Sequence, residues 1–355
     1  MPASLSPLPT AHHLLLPFAV CSSPAWLPTM QALPPDSTRH LRQLLWGMQV
    51  IYTAAGETQS LSPPHERALA QAQGLISDWN TEATLDGLIP WAARDAVSLF
   101  STSGDKAWAW ITPCHWAMGR EHATMTDPAA LALRENESRT LLTAMQPYFE
   151  TDGITLHYLS PERWLAEGEL FRNLPTASLD RVLGRNVDPW LPSSKSVEGE
   201  ISSLAPKSGE AISQRARTLR RLQNEMQMLL YTHPLNDERS ALRQLPVNSF
   251  WISGTGTLPL DLGVVAEAPR LVSAPRSLAQ AVFNDDWVAY AQAWAALDAG
   301  EVAQLLARQR AGEPVRLTMC GERGAQTLAS VKTGLIARIS SVLMPKTIWN
   351  GREQL

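Results

Sequence analysis

His233, Pro234, Asn236 and Arg239 share one seven-residue stretch, and Asn248, Gly254 and Gly256 follow it. Imidazole, carboxamide and guanidinium are the groups that grip an anion, and an arginine fork can donate two parallel N–H groups to one carboxylate or phosphate. Two glycines one residue apart let backbone N–H groups approach an oxyanion closely. Pro234 and Asn236 open a short helix whose first turn suits Asp237 and Glu238. The stretch "VNSFWIS" reads as a strand with Asn248 at its entrance and the glycines at its exit. The residues are therefore expected to converge on a small anionic ligand. The competing reading is a plain glycine turn between two elements, with Arg239 solvated.

Other clusters carry weaker signals. "TPCHWAMGREH" holds Cys114, His115, Arg120 and His122, yet a metal would need two further ligands, for which Asp127 is the nearest candidate. Cys114 and His115 are adjacent, and adjacent strand residues face opposite ways, which works against a nucleophile–base pair. Arg215, Arg217, Arg220 and Arg221 lie on one predicted helix without any aromatic stacking platform, so a solvated face is the alternative to phosphate binding. "SLDRVLGRNVDPW" brings Asp180, Arg181, Arg185 and Asp188 together, with Arg185 a secondary anion candidate. "VRLTMCGERG" places Glu322 and Arg323 in a glycine turn after a strand, and the carboxyl ends of strands are where α/β sheets present ligand contacts. The 13 tryptophans are scattered among apolar segments, as core residues are.

The elements that must position these groups alternate between helix and strand. A strand starts at His13, helices follow over 37–54 and 63–74, and strands over 106–113 and 122–128. A helix from Asn136, a strand through "GITLHYLS" and a long helix with a Leu219, Leu222, Met226, Leu229 and Leu230 stripe come next. The strand "VRLTMC" precedes a last helix over 328–343. Residues 192–212 are rich in Ser, Gly, Pro and charge and read as a linker or mobile loop, dividing an N-terminal α/β region (1–191) from a C-terminal region (213–355) packed on it as one compact unit. The class is α/β, a three-layer sandwich with a smaller α/β subdomain.

Bulk properties narrow the function. A net charge of −4 with 45% hydrophobic and 18% charged residues argues against nucleic acid as the partner. Cys21, Cys114 and Cys320 are far apart, so neither a disulfide framework nor a zinc module is expected. "HHLLLPFAVC" has no preceding Lys or Arg and a poor cleavage site, so it reads as a buried strand rather than a leader. No apolar run reaches the roughly 18 residues of a membrane span. A soluble, cytoplasmic protein with no membrane contact and no cofactor is expected.

In order along the chain, "HLLLPFA", "LSPPHERALA", "DGLIPWAA", "TPCHW", "SLDRVLGRNVDPWLP", "LRRLQNEMQMLLYTHPLNDER", "VNSFWISGTG" and "LTMCGERG" resemble the proteobacterial family called "regulatory protein, RpfE type". A fainter resemblance links His233, Pro234, Asn236, Arg239, Asn248, Gly254 and Gly256 to the archaeal-type cofactor-independent phosphoglycerate mutases of the alkaline-phosphatase superfamily. It implies a phosphate-handling site at those residues. Such enzymes hold two divalent metals through Asp and His and use a Ser nucleophile. Here Pro17, Phe18 and Ala19 stand after the first strand, and Cys320, Glu322 and Arg323 after the late one. The resemblance thus implies a phosphorylated or carboxylated small molecule bound without a metal, with Arg323 supplying charge where an ion would sit. An unusual phosphomutase or hydrolase drawing on His115 or Glu322, and a protein-docking module, are the alternatives.

Overall fold

A computed structural model describes residues 11–76, 86–100, 105–192, 206–258 and 272–330. The strands are β1 (His12–Leu16), β2 (Met48–Ala55), β3 (Trp108–Cys114), β4 (Trp116–Met118), β5 (Ala123–Met125), β6 (Thr155–Ser160), β7 (Arg163–Glu167), β8 (Ser249–Gly256), β9 (Val272–Ser273), β10 (Val315–Cys320) and β11 (Gly324–Ser330). The main helices are α1 (Trp26–Ala32), α2 (Arg39–Trp46), α3 (Pro64–Ala72), α4 (Trp91–Phe100), α5 (Glu135–Thr151), α6 (Pro206–Tyr231), α7 (Pro234–Ala241), α8 (Ser277–Phe283), α9 (Trp287–Leu297) and α10 (Ala303–Arg310). The protein is thus mixed α/β. No helix among the described residues is long and apolar enough to cross a membrane.

The chain divides into two compact units, one from residues 1–59, 63–80 and 267–355, the other from 60–62 and 81–266. This division differs from the expected break at 192–212. Residues 193–205 lie outside the described residues, and 206–212 already belong to α6.

In the first unit five strands run in the order β2-β11-β10-β1-β9. β1 is parallel to β10 and β9, whereas β11 is antiparallel to β10 and β2. Strand alternation sends Leu14, Leu16, Leu317 and Met319 to one face, against Trp26, Leu41, Leu44, Tyr290, Trp294 and Leu305 of the helices. Leu15 and Cys320 go to the other, against Ala68 of α3. Burying each such leucine is worth roughly 1.5–3 kcal/mol. On this second face His13 Nε2 lies 2.7 Å from Thr318 Oγ1, which is 2.8 Å from Thr327 Oγ1, a polar line across three strands. Burial, and then the charge of Arg316, push the His13 pKa down to about 4, so the ring is neutral at physiological pH. The buried Asp298 accepts from the His40 and Leu41 N–H groups at 3.0 and 2.8 Å, capping α2 from a distant element.

In the second unit β6-β7-β3-β8 form an antiparallel sheet, and β4 and β5 a separate hairpin. One face packs Leu141, Met145 and Phe149 of α5 and the expected α6 stripe of Leu219, Leu222, Met226 and Leu230. The opposite face packs Ala92, Ala93 and Ala96 of α4 on Trp108 and Leu165. Several sequence expectations are corrected. Residues 48–55 form a strand rather than a helix tail, the strand expected over 122–128 shortens to β5, and 328–330 end β11 rather than start a helix. Residues 331–343 lie outside the described residues.

Candidate functional site

The His233–Asn248 stretch is built inward. His233 caps α7, its Nδ1 accepting from the Leu235 N–H at 3.2 Å. Asn236 is buried and spends its carboxamide on backbone: Nδ2 donates to the Leu230 and Val247 carbonyls at 2.8 Å each, and Oδ1 accepts from the Val247 N–H at 2.9 Å. Arg239 is 1% exposed. Its Nε donates to the Leu245 carbonyl at 2.9 Å, one terminal nitrogen to the Leu131 carbonyl at 2.5 Å, and the other pairs with Glu137 Oε2 at 3.0 Å. Burial alone would raise the Glu137 pKa, but hydrogen bonds from Arg134 and the charges of Arg239 and Arg134 hold it below the usual carboxylate value. Asn248 brackets Trp116, accepting from its N–H at 2.7 Å and donating to its carbonyl at 3.0 Å. These groups staple α7 and the start of β8 to the rest of the unit.

The expected convergence with the glycines is corrected by β8 itself. Asn248 precedes the strand and Gly254 lies near its far end, about 20 Å away at the roughly 3.3 Å rise of a strand. Nor do the glycines form a terminal turn. Trp108 pairs with Gly256 and Trp110 with Ser253, so β8 carries one extra residue there, a β-bulge with Gly254 at φ 64. A Cβ on Gly254 would sit 3.0 Å from the Trp110 ring and 3.1 Å from Trp91 Cβ, and one on Gly256 (φ 140) 3.2 Å from Pro90. Gly254 admits a neighbouring tryptophan pair, whose rings stack at 6.4 Å and 8°, and Gly256 admits Pro90.

The secondary candidates separate as well. His115 Nδ1 donates to the Pro246 carbonyl at 2.9 Å, which fixes its tautomer. Cys114 is fully buried, and burial pushes its thiol far above the usual range, so no thiolate nucleophile is available. Arg185 is half-buried in the second unit, where its carbonyl accepts from the Met125 N–H. Arg221 is engaged by Asp152 and Glu225.

Glu322 and Arg323 occupy a different setting in the first unit. The parallel strands β1 and β10 end side by side, with Leu16 opposite Met319. Phe18 follows at φ 53, a left-handed conformation that a bulky residue rarely adopts and that needs support from its surroundings. The support comes from the Tyr290 hydroxyl, 2.8 Å from the Phe18 carbonyl, and from ring contacts with His65 and Phe283 at 5.5 and 5.0 Å. Ser22 then donates both its N–H, at 3.0 Å, and its hydroxyl to Glu322 Oε2. The Gly321 N–H donates to the Gly324 carbonyl at 2.9 Å and the Gly56 N–H to the Arg323 carbonyl at 2.5 Å, which fixes the turn. The Arg323 side chain is exposed and has no ion-pair partner among the described residues. Sequence reasoning registered Phe18 only as a residue that cannot ligate a metal and gave Ser22 no role. The Pro17–Phe18 step directly after an apolar strand was the available signal.

The residues that directly follow β1 and β10 offer few metal-ligating atoms. Pro17, Phe18 and Ala19 carry no ligating side-chain atom, Cys320 is fully buried with its thiol pushed up, Glu322 is engaged by Ser22, and Arg323 brings a positive charge.

No family model and no curated protein matches the chain, so the RpfE-type resemblance stands without a matching model. Two solved structures align with it. The PH0037 protein from Pyrococcus horikoshii is 13% identical over 93% of this chain and 92% of its own, with a TM-score of 0.44. A cofactor-independent phosphoglycerate mutase from Thermoplasma acidophilum DSM 1728 is 10% identical over 93% of this chain and 94% of its own, with a TM-score of 0.32. At these scores the alignments establish no shared site.

Proposed function

We propose that the protein binds a phosphorylated or carboxylated small molecule at the carboxyl ends of β1 and β10, with Arg323 as the anion-binding charge, and serves as a non-catalytic, regulatory cytoplasmic protein. The observation that carries this reading is the exposed Arg323 on a turn fixed by two backbone hydrogen bonds. Ser22 engages the neighbouring carboxylate of Glu322, which favours Arg323 answering to a ligand rather than to Glu322. The strained Phe18 turn beside it is the kind of backbone that clusters at binding sites. Helices on both faces of the first unit's sheet support a three-layer, phosphoglycerate-mutase-like arrangement. The His233–Arg239 segment has no part in this proposal, because Asn236 and Arg239 are spent inside the second unit.

Thermal shift against inorganic phosphate, phosphoglycerates and citrate, followed by titration calorimetry with the strongest hit, tests the reading, since binding to the folded state raises its stability. Arg323→Glu should abolish binding. Arg323→Lys should retain charge but lose the bidentate fork, weakening binding by about tenfold. Unchanged affinity in Arg323→Glu sinks the proposal.

A further inference from the structure

A cluster of rings in the second unit plays no part in the reading above. Strand alternation sends Trp108 of β3 and His157 of β6 to the sheet face that α4 covers, beside Leu165 of β7. Phe100, the last residue of α4, touches both. Its ring lies 5.9 Å from that of Trp108 at 19° and 5.1 Å from that of His157, and the latter two are 5.5 Å apart. Two polar atoms of this triad stand out. The indole N–H of Trp108, a residue 1% exposed, and His157 Nε2 are both shielded from water without a hydrogen-bond partner among the described residues. Two other buried tryptophans of the unit do find acceptors: Trp164 donates to the Ser138 hydroxyl at 2.8 Å and Trp251 to the Ala177 carbonyl at 2.9 Å. Buried polar atoms are nearly always bonded, because an unpaired one forfeits its hydration for nothing. Two such atoms in one ring cluster call for a molecule that pairs with them.

We propose that this cluster binds a small, uncharged heteroaromatic cyclic amide, a planar ring with a carbonyl next to an N–H, which enters by displacing Phe100. Each property of the ligand answers to a group in the site. The Trp108 N–H only donates, so the ligand supplies an acceptor, its carbonyl. Burial lowers the His157 pKa more than the charge of Glu167 raises it, so the ring is neutral at physiological pH. With its proton on Nδ1, the imidazole accepts the amide N–H at Nε2. Three aromatic rings favour a fourth in offset or edge-on contact. The charges that act on His157 are Lys106 and Glu167, and they pair with each other at 2.7 Å, so a charged ligand meets no counter-ion there. Phe100 is the ring that moves, since it ends a helix and is 43% exposed, whereas Trp108 and His157 are held in strands. Aromatic walls with a few polar groups are the usual make-up of a small-molecule site. The site lies in the other unit from Arg323 and takes a different ligand.

Nuclear magnetic resonance of the full chain, labelled at its tryptophan indole nitrogens and titrated with α-pyridone, tests this. Of the 13 tryptophan signals, the one missing from Trp108→Phe is expected to move saturably with α-pyridone and to stay in place with benzene, which has the ring but no polar atom. In titration calorimetry Trp108→Phe and His157→Phe should each weaken α-pyridone binding about tenfold, the loss of one hydrogen bond. Should Trp108→Phe fail to fold, His157→Phe, a change at a half-buried ring, decides through the same affinity comparison. A Trp108 signal that α-pyridone does not move overturns the proposal, whether water or another stretch of the chain already holds that N–H. So does an equal response to benzene, or wild-type affinity in the folded variants.

Discussion

A guanidinium withdrawn from water must replace its hydration with acceptors, and Arg239 does so with two carbonyls and one carboxylate. The chemistry legible in the sequence was right in kind, since Arg239 does use its fork on an anion. That anion is Glu137, 102 positions earlier in the chain, and spacing within 232–256 cannot disclose so distant a partner. Asn236 and Asn248 tell the same story. Short polar side chains flanking an apolar strand serve equally to bind a ligand or to close backbone gaps, and only burial separates the two uses. The pair sets a clear expectation. Arg239→Ala removes one partner of a buried ion pair, and should cost about 3–5 kcal/mol in urea unfolding because Glu137 keeps only Arg134. A loss under 1 kcal/mol would show that Arg239 is not the staple the geometry describes.

At the scale of elements, the long amphipathic helix, the apolar strands and the Pro234 helix start were readable because each has a period or a cap. β2 was not. The run after Gly47 continues an apolar pattern compatible with a helix, but Val50, Ile51, Tyr52 and Thr53 are β-formers, and pairing with β11 decides the outcome. The β8 bulge was likewise invisible. Two spaced glycines signal a close backbone approach, yet the approaching groups are a tryptophan pair on β3 and α4 at Gly254 and Pro90 at Gly256. Gly254→Ala therefore adds a methyl group at φ 64 against Trp110 and Trp91, and should destabilise by about 1–3 kcal/mol. Thermal unfolding of this variant is the measurement, and a melting temperature equal to the wild type would remove the close approach as the glycine's purpose.

The whole molecule consists of two units with separate sheets and separate cores, the first assembled from three stretches of chain. Composition gave no hint of this, because the chain passes between the units without a marked change in residue type. Both units contain groups whose titration differs between the folded and unfolded states, and burial depresses a histidine in each, His13 in the first and His157 in the second. His13 in the first unit has its pKa depressed to about 4, against roughly 6.5 when unfolded. The unfolded state therefore binds the extra proton first, and this unit loses up to about 3 kcal/mol as the pH falls from about 6.5 towards 4. Glu137 in the second unit is also depressed, but its unfolded value is near 4.3, so its contribution persists until the pH falls below that. Calorimetry at pH 7 and pH 5 should consequently resolve two transitions that both move down on acidification, the first unit's through His13 and the second's through His157. His13→Gln should remove most of the first unit's movement, while Arg239→Ala should lower the second unit's transition. Both follow if each core unfolds on its own. A single transition, lowered by Arg239→Ala and made less pH-sensitive by His13→Gln, would mean that the two units melt as one.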